Sequence, residues 1–213
     1  EDHAPYIFRT HDYGRTWTKI VTGIKGNDYI SSVREDPVRK GLLYAGAEHG
    51  FYVSMDDGDH WQSLSLHLPD TQVSDIWVEG SDIAIATHGR AFWILDDVNP
   101  LRQYQAAATA TDAYLFKPGD AVRAGGAASL SYWLKKPAEK MTLDVLDSKG
   151  QVVRSYAGAL PNAGTGGRGR GGAEGEAAPD DTEGGGRGRG GPPPSIAAGL
   201  QRFNWDLQAS PVV

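Results

Sequence analysis

Apolar and polar positions alternate in short bursts over the first hundred residues. Tyr29–Glu35, Leu42–Ala47, Gly50–Ser54 and Trp61–Leu66 are together rich in Val, Ile, Tyr, Phe and Trp, and Gly, Asp, Asn and Pro separate them. Such runs predict β-strands A to D of one four-stranded sheet. Gln72–Val78, Ile83–Thr87 and Ala91–Leu95 repeat the first three in a second sheet. No stretch here sustains a helical period over three turns. Residues before Trp17 supply only the outer strand of an earlier sheet.

The alternation resumes further on. Tyr104–Thr111 is Ala-rich and reads as a connector, and Asp112–Pro118 as an extended segment packed against the next domain. A second all-β pattern begins at Ala128, with strands expected at Ser129–Lys135, Met141–Leu146 and Gln151–Tyr156. Asp147-Ser148-Lys149-Gly150 joins the last two as a hairpin turn. Gly199–Leu207 adds one more strand, on which Phe203, Trp205 and Leu207 alternate onto one face. Between these strands, residues 161–194 are mostly Gly, Arg, Ala, Pro and acids. With almost no apolar bulk to offset an ordering cost of roughly 1–2 kcal/mol per residue, they are expected to be a disordered loop.

The first hundred residues also repeat. Thr10-His11-Asp12-Tyr13-Gly14-Arg15-Thr16-Trp17 matches Ser54-Met55-Asp56-Asp57-Gly58-Asp59-His60-Trp61, the two aspartates lying 44 residues apart. A worn third copy follows 40 residues on, at Ile94-Leu95-Asp96-Asp97-Val98-Asn99-Pro100-Leu101, without the Ser/Thr, Gly or Trp. Glu48-His49-Gly50-Phe51-Tyr52-Val53 likewise resembles Thr87-His88-Gly89-Arg90-Ala91-Phe92-Trp93. A period of about 40–45 residues suits a four-stranded β-propeller blade. In each turn the Asp carboxylate is expected to accept backbone N–H groups, and the Gly to take a conformation that a Cβ opposes. The Trp is expected to pack between neighbouring sheets. Burying some 200 Å² at ~25 cal/mol/Å² gives an upper figure near 5 kcal/mol. Asp12, Gly14, Trp17, Asp56, Gly58, Trp61 and Asp96 therefore read as structural.

These Asp boxes, together with Ala86–Asp97, resemble the end of the propeller in bacterial sortilin-like (BNR-repeat) proteins of the type labelled glycosyl hydrolase. Tyr114–Pro118, Tyr132–Lys136 and Arg202–Leu207 resemble the sandwich that succeeds it. The resemblance implies an all-β chain. Its last two to three propeller blades span 1–104, a connector 105–127, and a truncated immunoglobulin-like β-sandwich 128–213, with the low-complexity loop inside it. Because the first residue is Glu1 rather than Met, the chain reads as the C-terminal segment of a longer protein. An extracytoplasmic location, periplasmic or secreted, is implied by the resemblance alone.

Composition narrows the chemistry. A net charge of −6 over 213 residues, with no basic stripe, argues against nucleic acid as a partner. The two Gly-Arg-Gly-Arg-Gly-Gly copies do not reverse this: Arg168, Arg170, Arg187 and Arg189 stand against Glu174, Glu176, Asp180, Asp181 and Glu183, leaving −1. There is no cysteine for a disulfide or a thiolate metal site, and no apolar run long enough to insert in a membrane. No metal or cofactor is expected.

In a propeller the B–C and D–A connections share one face, so Glu48, His49, His88 and Arg90 become the candidate ligand contacts, suited to an anionic group, a carbohydrate or a peptide terminus. The competing reading makes both His-Gly pairs tight-turn residues whose imidazoles bond the backbone. Glycoside hydrolysis needs two carboxylates roughly 5–10 Å apart, and Glu48, Asp75 and Asp82 form no recognisable pair in the sequence. Arg34 and Arg90 alone do not make a sialidase arginine cluster. The expectation is a non-catalytic binding or scaffold segment that recognises peptide or glycan beside the remaining blades. The alternative is part of a sialidase- or xyloglucanase-like propeller hydrolase whose acids lie mainly outside this chain.

Overall fold

The computed structural model describes residues 2–121, 127–160 and 192–208. Strands dominate, in several small antiparallel sheets with two short helices, and the chain divides into two compact units at Thr109/Ala110.

The first unit holds three sheets. Sheet 1 pairs β1 (Phe8–Arg9) with β2 (Thr18–Lys19). Sheet 2 runs in chain order through β3 (Ile30–Glu35), β4 (Leu43–Ala47), β5 (Gly50–Ser54) and β6 (Gln62–Ser63). Sheet 3 is β7 (Val73–Glu79), β8 (Asp82–Thr87) and β9 (Phe92–Leu95), with β9 at its edge. The predicted strands are all present, most within a residue of their expected bounds. The exception is the run Trp61–Leu66, which pairs only over Gln62–Ser63. Leu66 has φ +48 and has left the strand. Sheet 3 has no fourth strand among the described residues. Instead the chain turns at Val98 into α1 (Asn99–Arg102), with Pro100 in its first turn, and then α2 (Tyr104–Thr109).

Alternation decides which side chains meet between sheets. Ile7, Ile20, Ala45, Ala47, Tyr52 and Trp61 form one core between sheets 1 and 2. Tyr44, Phe51 and Val53 meet Val73, Ile76, Ile83 and Ile85 in another, between sheets 2 and 3. Close approach is possible there because Gly46 lacks a side chain: a Cβ would lie 2.6 Å from the Val73 carbonyl oxygen and 2.8 Å from its Cγ1. Polar clamps cross the same gaps. Arg9 reaches the Asp57 carbonyl and, at 2.9 Å, the Asp59 carboxylate, while Arg34 meets Asp75 at 2.8 Å.

Helix α1 is held by charge. Arg102 Nε lies 3.0 Å from both Asp36 carboxylate oxygens, and Tyr44 donates its hydroxyl to the same group at 3.2 Å. Asp36 is fully buried and Arg102 nearly so. Arg39 fastens the other side, donating to the carbonyls of Leu101 and Met55.

The second unit contains a three-stranded sheet, β10 (Ala113–Leu115), β11 (Ala128–Leu134) and β14 (Gly199–Trp205), ordered β10-β11-β14. The hairpin β12 (Thr142–Leu146) and β13 (Val152–Ala157) forms a second sheet. Both feed one core: Tyr132, Leu134 and Phe203 pack with Met141, Leu143, Tyr156 and Trp205, and the Tyr156 and Phe203 rings lie 4.7 Å apart. Phe203 and Trp205 face inward as the alternation predicts. Leu207, at φ +59, lies beyond the strand. Of the stretch read as a connector, 104–109 forms α2 in the first unit and 113–115 pairs with β11 in the second. The Gly/Arg-rich loop is corrected at its end. Pro194 is fully buried and its carbonyl accepts the Ala159 N–H at 2.9 Å, so it belongs to the fold. Residues 161–191 of that loop lie outside the described residues.

Candidate functional site

The two complete boxes fold alike. At the first, Thr10 Oγ1 donates to Asp12 and accepts the Gly14 N–H, each at 2.9 Å. Asp12 in turn accepts the Thr16 N–H at 2.8 Å and its hydroxyl at 2.7 Å. At the second, Ser54 and Asp56 make the same set with Gly58 and His60, whose Nδ1 lies 2.7 Å from the carboxylate. Tyr13-Gly14 and Asp57-Gly58 carry successive positive φ values, which glycine accepts at the second position without strain. These bonds hold the Asp12 carboxyl down at about 2, the backbone and hydroxyl of Thr16 being the largest causes. Asp56 is also lowered: burial raises it, but its bonds to His60 and Ser54 outweigh burial.

The third copy keeps only half of this turn. Asp97 has φ +57, in line with Tyr13 and Asp57, but Val98, where the others have Gly, has φ −84 and a buried side chain. The Asp97 carboxylate accepts from Asn99 rather than repeating the Ser/Thr exchange. Asp96 itself is engaged in an interaction of its own.

The two tryptophans part company. Trp61 is 3% exposed, donating its indole N–H to the Ile20 carbonyl of sheet 1 at 3.0 Å. Trp17, expected to be wedged in the same way, is instead 60% exposed and donates to Gly14 of its own turn at 3.1 Å. The reason is that the side of sheet 1 it faces carries no further sheet among the described residues.

At the opposite end of the sheets lie the predicted ligand contacts. The turn after β4 is bonded to the entry of β3 (Glu48 N to the Tyr29 carbonyl, 3.1 Å), and the turn after β8 to the entry of β7 (His88 N to the Gln72 carbonyl, 2.9 Å). Glu48–His49 and His88–Arg90 thus occupy the same end of neighbouring sheets. The box turns sit at the other end, where Asp57 N bonds the Gly41 carbonyl at the β3–β4 connection. Each turn is braced by a buried polar residue just before the first strand of its own sheet. Asp28 accepts the His49 N–H at 2.8 Å and the Tyr52 hydroxyl at 2.7 Å, and Thr71 Oγ1 donates to the His88 carbonyl at 3.2 Å. Burial, with help from Asp28, pushes the Tyr52 phenol up to about 12.

His49 does more than brace a turn. Its Nδ1 lies 3.0 Å from Asp70, and that bond raises the imidazole pKa above its ordinary value. The pair stands on a polar cleft of about 470 Å³, lined also by Lys25, Asn27, Ser63 and Ser65. Glu48 meets His3 at 3.4 Å, while His88 and Arg90 present exposed side chains one sheet away. Asp28, Asp70 and Lys25 escape a sequence reading because they lie 21 to 24 residues from His49 and enter from other connections. The nearest signal in the sequence is the polar residue preceding both β3 and β7.

Carboxylates considered for hydrolysis are engaged elsewhere. Asp75 meets Arg34 and bonds the Ile76 N–H, and Asp82 accepts the Asp97 N–H at 3.0 Å. Among the described residues no group of three or more His, Asp or Glu is placed to hold a metal ion, and no helix is long and apolar enough to cross a membrane. Comparison with family models, with curated proteins and with solved structures finds no match to this chain.

Proposed function

We propose that the first unit is the end of an Asp-box β-propeller of the sortilin-like kind, that the second is an immunoglobulin-like sandwich, and that the segment binds rather than catalyses. The observation that carries this reading is the paired turn geometry, with Trp61 wedged between consecutive sheets and the strands of each sheet pairing in chain order. Sheets repeated in that way are the unit of a radial array. Its upper face is then the end carrying Glu48, His49, His88 and Arg90, with the Lys25–Asp70 cleft beside it. That surface offers hydrogen-bond donors, acceptors and exchangeable charge, which suit a peptide terminus or the hydroxyls of a glycan. An extracytoplasmic setting fits this reading. The engaged state of Asp75 and Asp82 favours binding over hydrolysis within this segment.

The test is a ¹⁵N-resolved titration of the 213-residue chain with an acidic hexapeptide and, separately, with cellohexaose. Shifts clustered at 48–50, 70 and 88–90 are expected with one of the two. Saturating additions that move no resonance there would overturn the reading, and turnover of a glycoside by this segment would replace it with the hydrolase alternative.

A further inference from the structure

The two complete boxes differ in the residue before the second-position glycine, Tyr13 in the first and Asp57 in the second. Asp57-Gly58 is the one Asp-Gly step in the 213 residues, and there is no Asn-Gly step. Glycine leaves its own amide unshielded, so in such a step the glycine nitrogen can reach the aspartyl Cγ. Attack there forms an N–C bond, expels the carboxyl oxygen as water and closes a five-membered succinimide ring. Water then reopens the ring at either carbonyl. One product is aspartate again; the other is isoaspartate, whose backbone runs through Cβ and Cγ. The sequence needs no reactant but water, and the net change is an isomerisation.

In the folded chain both reacting groups are occupied. The Gly58 N–H is buried and donates to Ser54 Oγ at 2.9 Å. The Asp57 carboxylate meets Arg9 Nη1 at 3.2 Å and His11 Nε2 at 3.4 Å, so β1 and the first box hold the carboxyl of the second. The bend between them is fixed by φ +62 at Asp57 and +89 at Gly58, and by the Asp57 N–H bonded to the Gly41 carbonyl at 2.8 Å. Aspartate is one of the few residues with a side chain that visit this left-handed region, which is how a carboxyl comes to stand before the glycine. Ring closure requires the Gly58 nitrogen to leave Ser54 and the carboxyl to leave Arg9 and His11. Nor is there room for the product. A Cβ on Gly58 would run into Ile20 Cδ1, and Ile20 belongs to the core that Trp61 completes. Isoaspartate puts one more backbone atom into the turn at this point.

We infer that Asp57–Gly58 is a modification site of this chain: when the second box opens, the backbone isomerises there through a succinimide, and the product cannot return to the bend packed on Ile20. The first box makes the same bonds but has Tyr13 before its glycine and no carboxyl to close the ring. The site lies at the box end of the sheets and is independent of ligand binding at the His49 and His88 turns. Where opening and closing are fast against the chemistry, the rate of isomerisation follows the fraction of open boxes.

The test incubates the whole chain in neutral ¹⁸O-labelled water, folded and in urea. Isoaspartate and the heavy oxygen are then located in the Val53–Trp61 peptide by electron-transfer fragmentation. Both are expected at residue 57, accumulating at least ~tenfold more slowly in the folded chain than in urea. Ser54→Ala frees the Gly58 N–H and, held below its melting temperature, should isomerise faster than the folded parent. Chains isomerised in urea and then refolded should melt below the parent. Four results would overturn the inference: no isoaspartate at 57 from the unfolded chain, equal rates folded and unfolded, a folded Ser54→Ala no faster than the parent, or isomerised chains that melt as the parent does.

Discussion

The indole nitrogen of Trp61 donates to the carbonyl oxygen of Ile20 across 3.0 Å, so one residue closes the space between two sheets with both its ring and its N–H. Deleting it removes a buried aromatic surface and leaves a carbonyl unbonded. Trp61→Ala is expected to cost ~3–5 kcal/mol of stability, read as a lowered urea midpoint. Trp17→Ala, at the equivalent but exposed position, should cost less than ~1 kcal/mol. Equal losses at the two positions would refute the difference in their roles.

Arg102 and Asp36 form a buried pair joining α1 to sheet 2. Removing one partner strands the other charge away from water. Arg102→Ala is expected to destabilise the first unit by ~3–5 kcal/mol. A double replacement, Arg102→Leu with Asp36→Leu, should recover part of that loss in the same denaturation experiment. No recovery would show that the pair is not the source of the coupling.

Asp12 sits well below its ordinary 3.8, at about 2. A carboxyl depressed on folding contributes stability present above the unfolded value and lost as pH falls through the folded one. The first box should therefore loosen between about pH 4 and pH 2 and be intact at neutrality. Carbon-detected NMR titration of the Asp12 carboxyl provides the measurement, and Thr16→Val should move its midpoint upward.

His49 shifts the other way, raised chiefly by its bond to Asp70. A group raised on folding contributes stability that is complete below its unfolded pKa and is lost as pH rises through the folded one. The His49–Asp70 tie should thus be complete below the ordinary imidazole value of 6.5 and be lost as pH rises through the raised one. Asp70→Asn should bring the imidazole midpoint down toward 6.5, followed by ¹H–¹⁵N spectra of the ring; an unmoved midpoint would remove Asp70 as the cause.

Local chemistry is legible in the residues themselves, and longer-range chemistry is not. The two box turns arise from residues within five positions of Asp12 and Asp56, and the strands from their alternation, so both can be placed from sequence. The failures share one cause. Whether Trp17 is covered depends on a neighbour that its own motif does not encode. The run expected to continue β6 to Leu66 stops pairing after Ser63, and Leu66 takes a left-handed backbone angle that no composition rule assigns to leucine. The bond between His49 and Asp70 joins connections 21 residues apart. Pro194 borders a glycine-rich stretch that has no compositional reason to pack, yet it ends against Ala159.

Each box turn closes through contacts spanning only a few residues. Rings that small form on the submicrosecond scale of loop closure, before any pairing between distant strands. During synthesis, Ser54–Trp61 can adopt its bend as soon as it emerges. That bend sets which residues of β5 and β6 oppose one another, and so the inward aim of Trp61, before sheet 3 has been translated. Because the bend is specified by its own few residues, its geometry does not have to wait for the next sheet to be in place.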